Sequence, residues 1–176
     1  MLRRDYAVFE RNQTAATIGT IVPSRALDYP WLVTFGPAYF ESYQTWPNTK
    51  FVHGFNLGRN TTLERNKLLE SIDFACKALT PANLLYWELG NEPDLFKTAA
   101  QGIMRTGNYS ESVYVQDWTT LKRSIISKLK QACPSVANFD WMAPSFAGTH
   151  NSLDPVKVWD VGLNTDKDIA QISSHK

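Results

Sequence analysis

Two stretches of the chain repeat apolar residues at the three- and four-residue spacing of a helix face. In residues 62–79 one face carries Leu68, Ile72, Ala75, Cys76 and Leu79. In residues 113–132 one stripe carries Trp118, Leu121, Ile125 and Leu129, while Lys122, Arg123, Lys128 and Lys130 fall elsewhere. Both patterns predict amphipathic helices. Pro81 and Pro134 mark where they end.

Capping signals place the starts of two helices. Thr61 and Glu64 have the spacing of a capping box at the start of the first helix. Asp154 followed by Pro155 has the sequence of an N-cap with proline at the first helical position. This predicts a third, shorter helix, with Val156 and Trp159 facing inward.

Apolar, aromatic-rich runs alternate with these helices and predict strands at residues 51–57, 84–90, 139–146 and 169–174. The runs are nearly continuous rather than alternating, which is typical of strands buried on both faces of a parallel sheet. A buried strand repeatedly followed by an amphipathic helix predicts an α/β fold with right-handed crossovers. Residues 31–35 fit either a further strand or an irregular hairpin, and the turn-rich residues 1–30 are predicted to be irregular.

The pattern alone leaves two α/β architectures open. The visible strand–helix units are too few for a complete eight-stranded barrel, which typically needs about 250 residues, so a barrel here would be incomplete. A small doubly wound sheet would fit 176 residues, but the chain carries neither a GxGxxG nor a GxxxxGK[ST] nucleotide motif. No repeat or flexible linker divides residues 1–176, so one domain is expected.

Charge and composition exclude several classes of partner. The chain has 18 Lys and Arg against 17 Asp and Glu, a net charge of +1, which supplies no basic surface for nucleic acid or for an anionic membrane. It contains no run of 18 apolar residues, and its first residues lack the apolar run of a signal peptide. A soluble chain without an export signal is therefore expected. Its oligomeric state is left open.

Cysteines and glycosylation sequons bear on the compartment. Cys76 and Cys133 leave one disulfide open, with its pairing undecided. Three sequons lie in polar, turn-like stretches, at residues 12–14, 60–62 and 108–110. Sequons also arise by chance, so glycosylation and no glycosylation are both kept.

The chemistry is expected at the carboxyl ends of the strands, where sites of parallel α/β folds form. One strand runs directly into the turn Asn91-Glu92-Pro93, which leaves an amide and a carboxylate together at that edge. Pro93 cannot continue a helix or a ladder from its nitrogen, so Glu92 lies at a fixed break in the chain. A general acid is one reading of Glu92, and a solvated turn carboxylate is the other. Trp87 is the tryptophan expected beside this chemistry.

Hydrolysis of a glycosidic bond needs a second carboxylate. Glu88 precedes Glu92 by four strand residues, about 13 Å at 3.3 Å per residue, so it is expected to be a buried structural group. Asp140 and Asp168 stand at the starts of their strands, at the opposite end of the sheet. Glu41 belongs to no recognisable constellation. The sequence therefore offers one candidate acid without a partner.

Four blocks in order carry a resemblance to a known family: KFVHGFNLG at 50–58, WELGNEPDLF at 87–96, APSFAGTHNSL at 143–153 and DIAQISSHK at 168–176. Together they resemble fungal glycoside hydrolase family 79, which includes β-glucuronidases and has heparanase among its relatives. The resemblance implies an incomplete TIM (β/α)₈ barrel, covering roughly strands 3 to 6, of a secreted, retaining hydrolase. Its substrate would be a β-glucuronide of a glycan or glycoprotein, and it implies no cofactor.

The resemblance also assigns roles to individual residues. Glu92 would be the general acid/base, and Asn91 would bind the 2-hydroxyl of the sugar. His175 resembles the family's site-lining histidine. Asn56, Ser145 and Phe146 end neighbouring strands and would line the same cleft.

The sequence departs from the family in one respect that matters for activity. The family's nucleophilic glutamate follows strand seven, and no matching residue is present, so this chain is expected to be inactive alone. Three readings stay open: part of a retaining hydrolase, a non-catalytic sugar-binding relic, and an unstable truncated product. His53 and His150 have no partner at ligand spacing, so no metal site is predicted. Trp118 and Trp159 are expected in the core.

Overall fold

A computed structural model describes residues 6–21, 30–98 and 103–175 of the chain. The strands are β1 (Ala7–Phe9), β2 (Thr17–Thr20), β3 (Leu32–Phe35), β4 (Phe51–Phe55), β5 (Leu84–Leu89), β6 (Trp141–Phe146) and β7 (Ile169–Ser174). The helices are α1 (Thr62–Ala78), α2 (Glu111–Ala132) and α3 (Pro155–Asp160), with 3₁₀ helices at Pro37–Gln44 and Pro93–Leu95.

The four predicted strands form one parallel sheet in the order β4-β5-β6-β7. The predicted α/β class is therefore confirmed, and the strand bounds differ from prediction by at most two residues. The order follows the chain without the reversal that defines a doubly wound sheet. The described strands form no closed barrel.

Helices α1 and α2 cover the sheet with the faces that the sequence predicts. Leu68, Ile72 and Ala75 of α1 are buried, as are Trp118, Leu121, Ile125 and Leu129 of α2. The capping box between Thr61 and Glu64 is present. A disulfide joins Cys76 to Cys133 with 5.5 Å between their Cα atoms, which decides the pairing that the sequence left open. It ties the last turn of α1 to the C-cap of α2.

Lys122 is a correction to the predicted polar face of α2, because its side chain is fully buried. Its Nζ lies 2.7 Å from Asp168 and 2.9 Å from Asp166 and 4.9 Å from the ring centre of Trp118. Asp168 stands just before β7, so this cluster lies at the amino end of the sheet. A lysine next to an apolar stripe is buried here because two carboxylates and an aromatic face replace its hydration.

The inward face of α3 is also predicted wrongly. Val156 and Trp159 are 66% and 40% exposed, whereas Val158 is fully buried. Residues two apart on a helix point about 200° apart, so burying Val158 turns Val156 outward. A six-residue helix is too short for periodicity to fix which face is buried. Its predicted start is confirmed, since Asp154 accepts hydrogen bonds from Val156 N and Lys157 N.

The segment before the parallel sheet contains more structure than predicted. Residues 1–30 were expected to be irregular, but β1 and β2 pair with β3 in the order β1-β3-β2; residues 1–5 and 22–29 lie outside the described residues. The strand alternative for residues 31–35 is thereby confirmed. β1 is parallel to β3 and β2 is antiparallel to it. The strands are only three or four residues long, so they carry little periodic signal.

Aromatic packing joins this small sheet to the rest of the chain. The ring of Phe9 packs on Phe35, Phe40 and Phe74, with centroids 5.3 to 6.3 Å apart. Phe74 belongs to α1, so the contact places the small sheet against that helix. No helix in the described part of the chain has the length and apolarity needed to cross a bilayer.

Candidate active site

The site lies where β5, β6 and β7 end, because the chain stays hydrogen-bonded across the sheet beyond each strand. Gly90 N donates to Phe55 O at 2.9 Å, Glu92 N donates to Ser145 O at 2.7 Å, and His175 N donates to Phe146 O at 2.9 Å. These bonds hold the turn after β5 against the ends of β4 and β6, and the residue after β7 against the end of β6. Backbone geometry therefore fixes where Glu92 and His175 stand.

Glu92 adopts a left-handed backbone, with φ 56° and ψ 46°. For a residue with a Cβ this conformation costs about 1 kcal/mol or more, and such positions concentrate at functional sites. Pro93 starts the following 3₁₀ helix, and Ser145 O holds the Glu92 amide. The strained turn therefore aims one carboxylate away from the strand that carries it.

Gly90 makes the same turn possible by letting it approach the segment that follows β4. Its φ is +82°, and a Cβ at this position would lie 2.9 Å from Cβ of Leu57. Only glycine tolerates both the backbone angle and the contact. The turn is consequently closely packed against the segment after β4. Asn91, between Gly90 and Glu92, is 7% exposed.

Glu92 and His175 form a side-chain pair, with Nδ1 of His175 3.0 Å from Oε1 of Glu92. The two side chains are 17% and 26% exposed, respectively, so the pair is shielded but reaches solvent. Two protonation arrangements satisfy the contact: the imidazole N–H donates to the carboxylate, or the protonated carboxyl donates to the imidazole. The pair can therefore hold or release a proton at a defined place.

Asp94 connects this turn to the loop after β6, a role that the sequence analysis missed. Its side chain is fully buried and accepts hydrogen bonds from Ala147 N at 2.9 Å, Gly148 N at 3.3 Å and Asn151 Nδ2 at 2.7 Å. Its carbonyl accepts from the amide and the hydroxyl of Ser152. These partners are more than fifty residues away in sequence, so no local pattern identifies them.

A second missed residue is Arg105, which braces the neighbouring loop. Its guanidinium donates to Leu57 O at 2.7 Å and to Gly58 O, and it pairs with Asp117 of α2 at 2.9 Å. Arg65 of α1 contacts the other oxygen of Asp117 at 3.1 Å. The loop between β4 and α1 is thereby tied to both helices.

The remaining predicted site residues lie at the carboxyl end but are engaged in packing. Asn56 Nδ2 donates to Ala7 O at 2.6 Å, and its Oδ1 accepts from Arg59 N at 3.0 Å. Ser145 and Phe146 are each 2% exposed, and Phe146 packs on Tyr114 at 5.7 Å. The structure thus pairs Glu92 with His175, with Asn91 in the same turn, and the carbonyls of Ser145 and Phe146 hold the two backbones. Asn56 instead lines a cavity between the small sheet and β4.

Trp87 is not beside the chemistry and corrects that expectation. It is fully buried, its Nε1 donates to Val136 O at 3.0 Å, and its backbone N donates to Asp140 O. Val136 and Asp140 both precede β6, and Trp87 is paired with Trp141, the first residue of that strand. Trp87 is therefore a core residue.

The other carboxylates behave as the sequence predicts. Glu88 is 3% exposed within β5, and Asp140 and Asp168 directly precede β6 and β7 at the amino end. His53 is 5% exposed and its Nδ1 lies 2.7 Å from the hydroxyl of Tyr43, a structural contact. Among the described residues, no group of three or more His, Cys, Asp or Glu side chains is arranged to hold a metal ion.

A cavity of about 290 Å³ lies elsewhere, between the small sheet and β4. Its walls include aromatic residues of both sheets and the polar residues His53, Asn56, Arg59 and Glu64. Neither Glu92 nor His175 lines it. The position of the paired titratable groups, rather than this cavity, therefore defines the candidate active site.

Two curated proteins are similar to this chain over almost its whole length. A β-glucuronidase of Aspergillus niger is 49% identical over 172 residues, and a β-glucuronidase of Neurospora crassa is 43% identical over 177 residues. Each alignment covers 98% of this chain but 32% of the relative, so the chain spans about a third of their length. The resemblance to β-glucuronidases is confirmed. No family model matches the chain.

The chain is similar in fold to solved structures, among them a 4-O-α-L-rhamnosyl-β-D-glucuronidase of Fusarium oxysporum 12S in complex with Rha-GlcA, with a TM-score of 0.71 and 21% identity. The match covers 99% of this chain and 35% of that one. The likeness concerns the fold: the described strands and helices are arranged like about a third of that structure.

Proposed function

We propose that this chain carries the acid/base part of a retaining β-glucuronidase site of glycoside hydrolase family 79, on a segment of an incomplete (β/α)₈ barrel. The observation that carries the proposal is the pair formed by Glu92 and His175, 3.0 Å apart at the carboxyl end of the sheet. The sequential order β4-β5-β6-β7 and the two similar β-glucuronidases support it.

Glu92 acts first as general acid and then as general base in this proposal. Its carboxyl group protonates the glycosidic oxygen as the bond to the anomeric carbon breaks, and in the second step the carboxylate activates water. His175 contacts the same carboxyl group and holds it in place between the two steps. Asn91 supplies an amide hydrogen bond to the sugar 2-hydroxyl, which strengthens as the transition state forms.

The covalent partner must come from a second carboxylate about 5 to 5.5 Å from Glu92. Two carboxylates at this end of the sheet are already engaged in other contacts: Asp94 binds the loop after β6, and Asp117 pairs with two arginines. We assign the nucleophile to a part of the protein outside residues 1–176. On this proposal the chain by itself binds a β-glucuronide of a glycan or glycoprotein without hydrolysing it.

Sugar binding without hydrolysis is the second candidate function. The engagement of Asp94 and Asp117 favours it, because a site with one available acid can recognise a sugar but cannot form a glycosyl-enzyme. The two candidates differ in one outcome. If the chain is part of a hydrolase, a longer form of the protein that contains residues 1–176 hydrolyses substrate; if it only binds sugar, no form does.

Leaving-group dependence tests the role of Glu92 in the protein as its host produces it. Glu92→Gln is expected to lower kcat/KM for phenyl β-glucuronide about 100-fold or more, because the phenolate then leaves without a proton. It should lower kcat/KM, which reports the first step, much less for the dinitrophenyl glucuronide, whose leaving group needs no acid. Glu41→Gln, an exposed carboxylate, is the matched control and should change neither rate.

Two outcomes separate the candidates. Equal losses on both substrates contradict an acid/base role for Glu92. If no preparation hydrolyses either substrate while Asn91→Ala abolishes saturable binding of a glucuronide, sugar binding is the function.

A further inference from the structure

Three asparagines of Asn-x-Ser/Thr sequons stand in the segments that connect the elements of the fold. Asn12 follows β1, Asn60 directly precedes the N-cap of α1, and Asn108 precedes the N-cap of α2. All three side chains are exposed, and all three lie outside helices and strands. A bulky substituent on any of them therefore displaces no packed side chain.

The segment around Asn60 contains two adjacent threonines with separate functions. Thr61 is the N-cap, and its hydroxyl accepts from Glu64 N and donates to Glu64 Oε2 at 2.8 Å. The sequon uses the next residue, Thr62, which is exposed at the first position of α1. Capping therefore explains the threonine at position 61, whereas the sequon residues Asn60 and Thr62 supply no side chain to the cap.

The disulfide between Cys76 and Cys133 is an independent observation about the compartment. Structural disulfides form and persist in oxidising compartments such as the lumen of the endoplasmic reticulum and the extracellular space. N-glycosylation of sequons also occurs on the secretory route. The two observations therefore point to the same compartment from unrelated chemistry.

We propose that Asn12, Asn60 and Asn108 carry N-linked glycans. The donor is a lipid-diphosphate oligosaccharide. The side-chain amide nitrogen forms a bond to the anomeric carbon of the first sugar, the bond from that carbon to the diphosphate oxygen breaks, and the lipid diphosphate leaves while the amide proton passes to a base. No oxidant or reductant is required.

Peptide mapping of the protein isolated from its own host tests the proposal. Enzymatic release of N-glycans in heavy-oxygen water converts each glycosylated asparagine to a labelled aspartate. We expect the label at Asn12, Asn60 and Asn108. Asn48 is equally exposed but has Lys50 at the third position, so it should stay unlabelled. Absence of label from the three sequons overturns the proposal.

Variants of the complete chain, secreted from yeast, separate the sequon from the cap at Asn60. Thr62→Ala and Asn60→Gln should each remove one glycan, seen as the same increase in gel mobility. Thr61→Ala should keep that glycan and the wild-type mobility, although it removes the cap of α1. If Thr62→Ala leaves the mobility unchanged, or if Thr61→Ala removes the glycan instead, Asn60 is not the modified residue and the proposal fails there.

Discussion

At the amino end of the parallel sheet, the carboxylates of Asp166 and Asp168 face the ammonium of Lys122 at 2.9 and 2.7 Å. At the carboxyl end, the carboxylate of Glu92 faces the imidazole of His175 at 3.0 Å. An ammonium can only donate hydrogen bonds, whereas a neutral imidazole can donate at one nitrogen and accept at the other. A carboxylate thus fixes structure at the amino end and, on our proposal, transfers a proton at the carboxyl end.

The two ends also differ in how they are held together. Helices run back along the sheet, so the last turn of α1 and the end of α2 lie at the amino end, where the disulfide joins Cys76 to Cys133. The carboxyl end is held by hydrogen bonds, such as those of Asp94 to the loop after β6. We therefore expect substitutions at the amino end to reduce stability, and substitution of Glu92 to reduce binding with little effect on stability.

Removing the disulfide should produce the largest loss of stability. The bridge spans 57 residues, and closing a loop of that length contributes about 4 kcal/mol to the free energy of unfolding. Cys76→Ala combined with Cys133→Ala should lower the urea midpoint accordingly and leave no free thiol. A loss below about 1 kcal/mol would mean that α1 and α2 are held at this end without the bridge.

Lys122→Met should produce the second largest loss. The substitution keeps the aliphatic chain buried but leaves Asp166 and Asp168 without their shared ammonium, at a cost of about 3 kcal/mol. Arg123→Met is the matched control, because that guanidinium is 60% exposed and its pair with Asp166 should contribute less than about 1 kcal/mol. Equal losses in the two variants would show that burial of Lys122 has no energetic consequence.

Asp94→Asn tests the structural bonds of the carboxyl end. The amide keeps one acceptor oxygen but presents an NH₂ group to donors that the carboxylate now accepts from, so about 2 kcal/mol should be lost. Asp154→Asn makes the same chemical change at the N-cap of α3, where asparagine caps equally well, and should cost a few tenths of a kcal/mol. Urea denaturation of the two variants measures both losses. Similar losses at both positions would contradict the role of Asp94 in holding the loop.

Acid should weaken the amino end selectively. The hydrogen bond from Arg123, reinforced by the one from Lys122, lowers the pKa of Asp166 to about 2. A carboxyl group with a depressed pKa stabilises the fold above its unfolded value of 3.8, and that contribution is lost as the pH falls toward 2. Between pH 4 and pH 2 the wild-type chain should therefore lose more stability than Asp166→Asn. Parallel losses would contradict the pairing.

The sequence predicts the parallel sheet and its helices because their signals are local. Continuous apolar runs identify β4 to β7, and helical periodicity identifies the buried stripe of α2 from Trp118 to Leu129. Three-residue strands and the six-residue α3 carry too few positions for such patterns. For that reason β1 was missed and Val156 was assigned to the wrong face.

The residues of the candidate site also differ in how far the sequence predicts them. Glu92 is recognisable because a strand ends in an Asn-Glu-Pro turn, and resemblance places His175 at another strand end. The long-range bonds of Asp94, Arg105 and Lys122 leave no local signature, since each links segments more than ten residues apart. Burial of a charged residue is decided by those distant partners.

One matched pair of variants tests whether the carboxyl end is the functional end. Glu92 and Lys167 both have φ 56°, one at each end of the sheet. Replacing either with glycine should relieve the same strain and raise stability by about 0.5 kcal/mol after the entropy of the unfolded chain is counted. Calorimetric titration of a β-glucuronide should then show affinity lost in Glu92→Gly and unchanged in Lys167→Gly. Unchanged affinity in Glu92→Gly, or loss in Lys167→Gly, would contradict the assignment of the site.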